Sequence, residues 1–502
     1  MTVKPKYLVL LLFISLGGIA PSHAANAPID PKVLHAINRL SFGPRPGDLQ
    51  RVESMGVERY IQEQLSPNSI PESPSLSNQL SQLKTLQLTP VELLNEYGKN
   101  LPPGQKPTPE QRQAAQKRAR QVFDEAVQAR LLQATTSPRQ LQEVMVDFWY
   151  NHFNVYANKE RDRLLVGAYE QQAIRPYALG RFRDLLGATA RHPAMLLYLD
   201  NWQNTAPGSP GARGRFQGLN ENYARELMEL HTLGVDGGYT QQDVIALARI
   251  FTGWGFSRPN QQNDSSGFFF DPKRHDFSDK VFLKQTIKGS GLAEGEQALD
   301  ILARSPATAR HISYKLAQYF VSDNPPSALV DYLTERFLST NGDIRAVLNT
   351  LFYSKEFWDS KNFNAKFKTP YEYAISAVRA TGSEVKNTKP IFNILQQLGM
   401  PLYGYQTPEG YKNTQQAWLN PEAMNRRISF ATAIASGSFR LSLIPMNQNK
   451  NDQIRPRQFV DALQLANTLG NSFSPQTQSA IASSPPQLQS ALILGSPEFM
   501  RR

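Results

Sequence analysis

The chain has 502 residues, a formal net charge of +11, seven histidines and no cysteine. The missing cysteine excludes disulfides, thiolate zinc sites, cysteine nucleophiles, covalently attached c-type haem and a lipid-modified cysteine anchor. The positive charge is interleaved with other residues, as in "RQAAQKRARQ", which predicts a solubilising basic surface; an anionic envelope polymer or a membrane surface is the charge-matched partner.

Lys4 and Lys6 precede the apolar run "YLVLLLFISLGGIA" and then "PSHA", the three parts of a secretory signal peptide over residues 1–24, cut near Ala24–Ala25. The run is short for a spanning helix, and no later stretch matches it, so no transmembrane segment is expected after cleavage. A periplasmic or extracellular address follows, and with it no nucleic-acid partner. Residues 25–502 are expected to form a single large helical domain, long enough to bury a core without disulfides.

The expected class is mainly α. Asp30 caps a first helix with Pro31 at its first position, and "RPGDLQRVESMG" and "VERYIQEQL" continue the helical pattern. Residues 67–88, rich in Ser, Pro and Gln, and residues 99–108 are expected to be surface insertions. Thr108-Pro109-Glu110 starts a long polar helix to about Thr135, and Ser137-Pro138 starts another to about Asn158. Further helices are predicted over 162–175, 180–190 and 193–200. A flexible surface loop over 203–217 precedes a helix from 218 that stops at the glycines of "GVDGGYT", and Thr240 caps the next helix, to about Thr252. Residues 254–288 are aromatic and partly alternating, which predicts a small β-hairpin excursion. Helices resume near 292 and continue to the end. Ser-x-Glu-Phe follows a helix in both 348–361 and 488–502, suggesting two similarly closed helical layers.

At 100° per residue, two helices point ionisable groups into their own apolar stripes: His152, flanked by Asp147 and Asn151, and Glu226, with Asn222 one turn before it and Glu229 about one turn after. Arg225 and Glu229, four residues apart, are spaced to pair. A buried carboxylate needs a partner, a metal or a raised pKa. A hydrogen-bonded core network meets that need. So does a pocket in which Glu226, Glu229, His152 and Asp147 act as acid and base, or in which His152, Glu226, His231 and His275 hold a divalent metal. Asn222, Arg225, Asp200 and Asn201 are the candidate substrate contacts at its rim. "ELMELH" has one histidine and so lacks the metalloprotease pattern; "GVDGGYT" lacks a phosphate loop's lysine.

The blocks "HAINRLSFGPRPGDLQRV", "VMVDFWYNHFNVYA", "AIRPYALGRFRDLLGATARHPAMLLYLDN", "NENYARELMELHTLGVDGGYTQQDV", "FTGWGF", "FFFDPKRHD" and "LGSPEF" together resemble the bacterial domain-of-unknown-function 1800 family, from about residue 30 to the C-terminus. Ala36 and Ile37 stand where that family's pattern has paired leucines, a conservative departure. The resemblance implies an exported bacterial protein, often encoded beside an exported sulfatase-like or alkaline-phosphatase-like partner, and carries no catalytic assignment. Two functions remain open: a hydrolase-type enzyme with an acid/base or metal-assisted His/carboxylate site, acting on an envelope or extracellular polymer, and a non-catalytic helical partner of another exported protein or polysaccharide, binding through its basic surface and the loop at 203–217.

Overall fold

The computed structural model describes residues 29–98, 108–214, 216–257, 266–442 and 459–502. The expected signal peptide and nearly all of the expected 99–108 insertion lie outside them. Among the described residues the chain is mainly α, with 23 α-helices and two two-stranded antiparallel sheets. None of these helices is long and apolar enough to cross a membrane.

Local signals explain most helix starts. Asp30 accepts from Lys32 N. Thr108 and Thr240 each form a reciprocal capping box, with Gln111 and Asp243, which satisfies orphan N–H groups at the starts of Pro109–Thr136 and Gln241–Ile250. The 254–288 excursion is two short pairings. Strand β1 (Trp254–Phe256) pairs with β2 (Phe268–Phe270), and β3 (Lys280–Phe282) with β4 (Gln285–Ile287). The repeated Ser-x-Glu-Phe is one local device used twice: the hydroxyls of Ser354 and Ser496 accept from the backbone N–H of Phe357 and Phe499, and both rings are buried.

One contiguous apolar core runs from Val33 to Met500 and takes in Trp149 and Trp254. Gly295 makes room for it, since a Cβ there would lie 2.0 Å from the Trp254 ring.

The structure adds local detail to four expectations. Residues 67–88, expected as a surface insertion, include helix Pro74–Ser81, bury Leu76, and dock on the long helix where Thr85 donates to Glu125. The 203–217 loop is anchored where Ala206 and Gly211 N–H groups donate to the carbonyls of Arg274 and Lys273. The helix expected to reach Asn158 ends at His152, because Asn154 spends its amide on a distant loop instead of the helix surface. The helix expected from 218 begins at Asn222, since Gly218 and Asn220 bond to Thr205 and Asn204. It then widens into a π-helical turn over Leu227–Thr232. A second π turn occupies Tyr169–Ile174. Such turns interrupt the 3.6-residue period and are frequent at functional sites.

Candidate functional site

Helix Gln140–His152 and the two residues beyond it grip the loop 400–411. Asn151 exchanges two bonds with Tyr411, its Nδ2 donating to the carbonyl (2.8 Å) and its Oδ1 accepting from the N–H (2.7 Å). Asn154 Nδ2 donates to the carbonyls of Tyr405 (3.1 Å) and Thr407 (2.9 Å). The approach is close enough to require Gly410: its φ is +70°, and a Cβ would lie 2.1 Å from the Asn151 carbonyl.

Beneath this loop lies a buried chain of charges. Arg175 is bidentate on Glu143 (2.6 and 2.9 Å) and 3.7 Å from Glu170. Arg130 links Glu170 (2.8 Å) to Asp147 (2.5 Å). The Arg130 guanidinium also lies 5.1, 5.3 and 5.4 Å from the ring centres of Tyr150, Tyr371 and Tyr403, which supports it by cation–π attraction. Three carboxylates share two guanidiniums, and burial raises both Glu143 and Asp147: opposed by Arg130, it lifts the Asp147 pKa to about 6. Asp147 lines a cavity of about 30 Å³ with Asn151, Asn154, Tyr371, Tyr403 and Tyr411, room for about one water.

His152 lies elsewhere, sealed at 2 % exposure. Its Nε2–H donates to the His231 carbonyl (3.1 Å), which fixes the tautomer and leaves Nδ1 without a partner. The His231 and His311 rings are each centred 6.1 Å from it. Burial and the nearby Lys315 ammonium push all three imidazoles toward the neutral form, with His231 at about 3 and His311 at about 4. His275 belongs to a separate buried network. Its Nδ1–H donates to the Thr252 carbonyl (2.8 Å) and its Nε2 meets Glu294 (2.9 Å), which also accepts from Lys280 (2.6 Å).

The structure therefore does not join the expected metal set. His152 and His231 are neighbours, while His275 is committed to Thr252 and Glu294. Among the described residues, no group of three or more His, Asp or Glu is disposed to hold a metal ion. The neighbours of His152 and His231 include a cation, which opposes metal binding.

Glu226 is half-buried and makes no hydrogen bond or ion pair among the described residues; no bond joins it to His152. Burial, then Glu229, then Glu409 from the clamped loop raise its pKa, and Arg225 opposes them. Glu229 accepts from the Tyr239 hydroxyl (3.2 Å). Arg225 turns away from the expected Glu229 and pairs with Glu221 (3.2 Å) and Gln241 (3.0 Å). The π turn accounts for this placement: it displaces Glu226 from the stripe centre that an ideal helix predicts.

Of the other expected substrate contacts, Asn201 and Asn222 bond to the backbone and Asp200 forms an ion pair. Asn201 is buried and its amide donates to the carbonyls of Phe251 and Trp254. Asn222 donates to the Leu199 carbonyl. Asp200, in a left-handed turn (φ 59°), pairs with Lys159 at 2.7 Å.

A separate surface groove of about 1090 Å³ runs between "GVDGGYT" and the β3–β4 hairpin, with Thr240, Gln242, Arg249, Lys284, Gln297 and Arg304 among its lining residues.

Sequence reasoning missed Arg130, Glu170, Glu409 and Lys315. Arg130 and Glu170 lie in long helical stretches where their charges look solvated, and Glu409 lies far along the chain. The clue for Glu409 was "PLYGYQTPEGY", a loop too rich in tyrosine to be a plain connection.

A mainly helical scaffold with a clamped loop beside an unpaired carboxylate is the class this geometry defines. The family described as protein of unknown function (DUF1800) matches residues 35–501, and the chain belongs to it. No curated protein and no solved structure matches the chain.

Proposed function

We propose that the protein is an exported hydrolase-type enzyme that acts on an envelope or extracellular polymer by metal-free acid/base chemistry. Glu226 is its acid, and Glu229 or Glu409 is its base. The observation that carries this reading is the half-buried, unpaired Glu226 carboxyl among like charges. A structural carboxylate in that position would have been given a cation or an N–H group, whereas a carboxyl that holds its proton more tightly than a free glutamate suits a general acid. Glu226 would protonate the leaving oxygen while an ionised neighbour takes a proton from the attacking water. The export part rests on the N-terminal charge, apolar run and small-residue cleavage site.

The test is hydrolysis of a panel of envelope polysaccharides and peptidoglycan, read as newly released ends. Wild type is expected to cleave one member. Glu226→Gln is expected to lose that activity while keeping its helical spectrum and a melting temperature no lower than that of wild type. Full activity in Glu226→Gln would overturn the assignment.

The open groove supports a second reading, a non-catalytic partner of an exported protein or polysaccharide. Under it, retained capture of such a partner by Glu226→Gln, with loss on placing a tryptophan at Gln242, is the expected pattern.

A further inference from the structure

We propose that Tyr405, Tyr411 and Trp418 form a sugar-binding row on which the rings of a carbohydrate chain stack. The three aromatic rings follow one another at the surface. Tyr405 and Tyr411 are centred 4.5 Å apart and tilted by 58°; Tyr411 and Trp418 are centred 6.0 Å apart and tilted by 45°. All three are half-buried, and among the described residues no other run of three contacting rings lacks a buried member. Their polar tips are already spent. The Tyr405 hydroxyl donates to Glu409 (3.3 Å), the Tyr411 hydroxyl to the Pro401 carbonyl (3.0 Å), and Trp418 Nε1–H to the Lys412 carbonyl (2.6 Å). What each ring still offers is its face. A π face is electron-rich and attracts the slightly positive C–H groups along one side of a pyranose ring.

The row is fixed in place before any ligand arrives. Asn151 and Asn154 hold the loop 400–411, and the Gln415 N–H donates to Asp323 (2.8 Å) at the start of the short helix Gln415–Trp418. Rings held this way lose little freedom on binding. An extended peptide fits the same surface poorly, because the loop's main chain is occupied. The carbonyls of Tyr403, Tyr405, Gln406, Thr407 and Tyr411 all accept bonds from within the protein, which leaves little backbone for strand-like pairing. The side chains of Gln406, Thr407 and Gln416 are exposed beside the rings and supply amides and a hydroxyl for sugar hydroxyls.

The row leads toward Glu226. Its Tyr405 end rests on Glu409. The Gln406 carbonyl accepts from the Tyr198 hydroxyl (2.8 Å), and the carbonyl of the next residue, Leu199, accepts from Asn222 (3.3 Å), one turn before Glu226. In the hydrolase reading this places sugar subsites beside the acid and names the polymer as a polysaccharide. That last step rests on the preceding proposal; the sugar row does not.

The experiment is limited oxidation of tryptophan by N-bromosuccinimide in the full mature chain, with each site quantified by mass spectrometry. It is run on wild type and on Glu226→Gln, so that turnover cannot consume the probes. The probes are cellohexaose, chitohexaose, an oligogalacturonate and an uncharged hexapeptide. Trp358 is the internal control: it too is half-buried, with its Nε1–H on the Phe352 carbonyl (2.8 Å). At least one sugar is expected to protect Trp418 and leave Trp358 unchanged. By calorimetry, Tyr405→Ala is expected to bind that sugar about tenfold more weakly, while Tyr405→Phe, which keeps the face and loses the bond to Glu409, retains the affinity. Protection by oligogalacturonate alone identifies an acidic glycan; protection by a neutral hexasaccharide identifies a neutral one. Trp418 unprotected by every sugar, protected by the peptide alone, or protected no more than Trp358 overturns the proposal, whether or not Tyr405→Ala folds. Protection by sugar without cleavage of any polysaccharide keeps the row and removes the hydrolase reading; cleavage with Trp418 unprotected does the reverse.

Discussion

Replacing Arg130 with methionine is the most informative stability test of the buried charge chain. Methionine retains much of the aliphatic stem, so the change mainly removes the guanidinium that lies over the Tyr150, Tyr371 and Tyr403 rings. Asp147 then loses its ion-pair partner, and Glu170 keeps only Arg175 at 3.7 Å and the Tyr403 hydroxyl at 2.9 Å. Removing one member of a buried ion pair typically destabilises by about 3–5 kcal/mol, because a carboxylate is left uncompensated. The cation–π contacts with three tyrosines place this case in the upper part of that range. The loss should depend on pH. Once Arg130 is gone, Asp147 takes up its proton more readily, and a neutral carboxyl is far less unfavourable to bury. Urea unfolding of both proteins at pH 8 and pH 5.5 checks this. The expected result is the full loss at pH 8 and a clearly smaller one at pH 5.5. A loss below about 1 kcal/mol at pH 8, or one that does not change with pH, would refute the argument that Arg130 favours the ionised form of Asp147.

Four further outcomes are expected. Glu226→Gln should stabilise the chain by about 0.3–1 kcal/mol at pH 8, since it removes like-charge repulsion at a half-exposed site; the native carboxyl binds its proton more tightly than the unfolded one, so the gain should fade as pH drops to 4, which denaturation midpoints will read. Glu294→Leu removes the acceptor of His275 Nε2 and leaves the Lys280 ammonium with Asp276 alone, and should destabilise by about 3–5 kcal/mol in urea unfolding. Asn154→Ala frees the carbonyls of Tyr405 and Thr407 and should raise cleavage within 400–412 by added protease, with about 1–3 kcal/mol lost. Gly295→Ala drives a methyl into the Trp254 ring and should destabilise by about 1–3 kcal/mol, with a changed near-ultraviolet tryptophan signal.

The features legible in the sequence are those set by local chemistry. Thr108 and Thr240 announced their helices because a capping box needs only four residues, and the aromatic alternation of 254–288 announced its strands. The site was harder for a specific reason. The helical wheel assumes a constant 100° per residue, and the π turn at Leu227–Thr232 breaks that assumption just after Glu226. Glu226 stood out as an unusual carboxylate with Glu229 beside it; the structure adds Glu409 to that pair, and no bond joins Glu226 to His152. Glu409 could not be found from the local pattern, because it reaches the site through the side-chain grip of Asn151 and Asn154 on a loop some 250 residues away in sequence. Asp147 was marked as an edge position; its partner Arg130 sits on another helix, where a lone arginine in a polar run gives no sign of burial.

The account stands on the protonation of one side chain. Selective ¹³Cδ labelling of glutamate, with the Glu226 resonance assigned by its loss in Glu226→Gln, gives that titration directly by NMR. The predicted midpoint lies above the ordinary glutamate value of 4.5 and moves down in Glu229→Gln and in Glu409→Gln. A midpoint at or below 4.5, unmoved by either substitution, would contradict the placement of Glu226 among like charges and the acid role built on it.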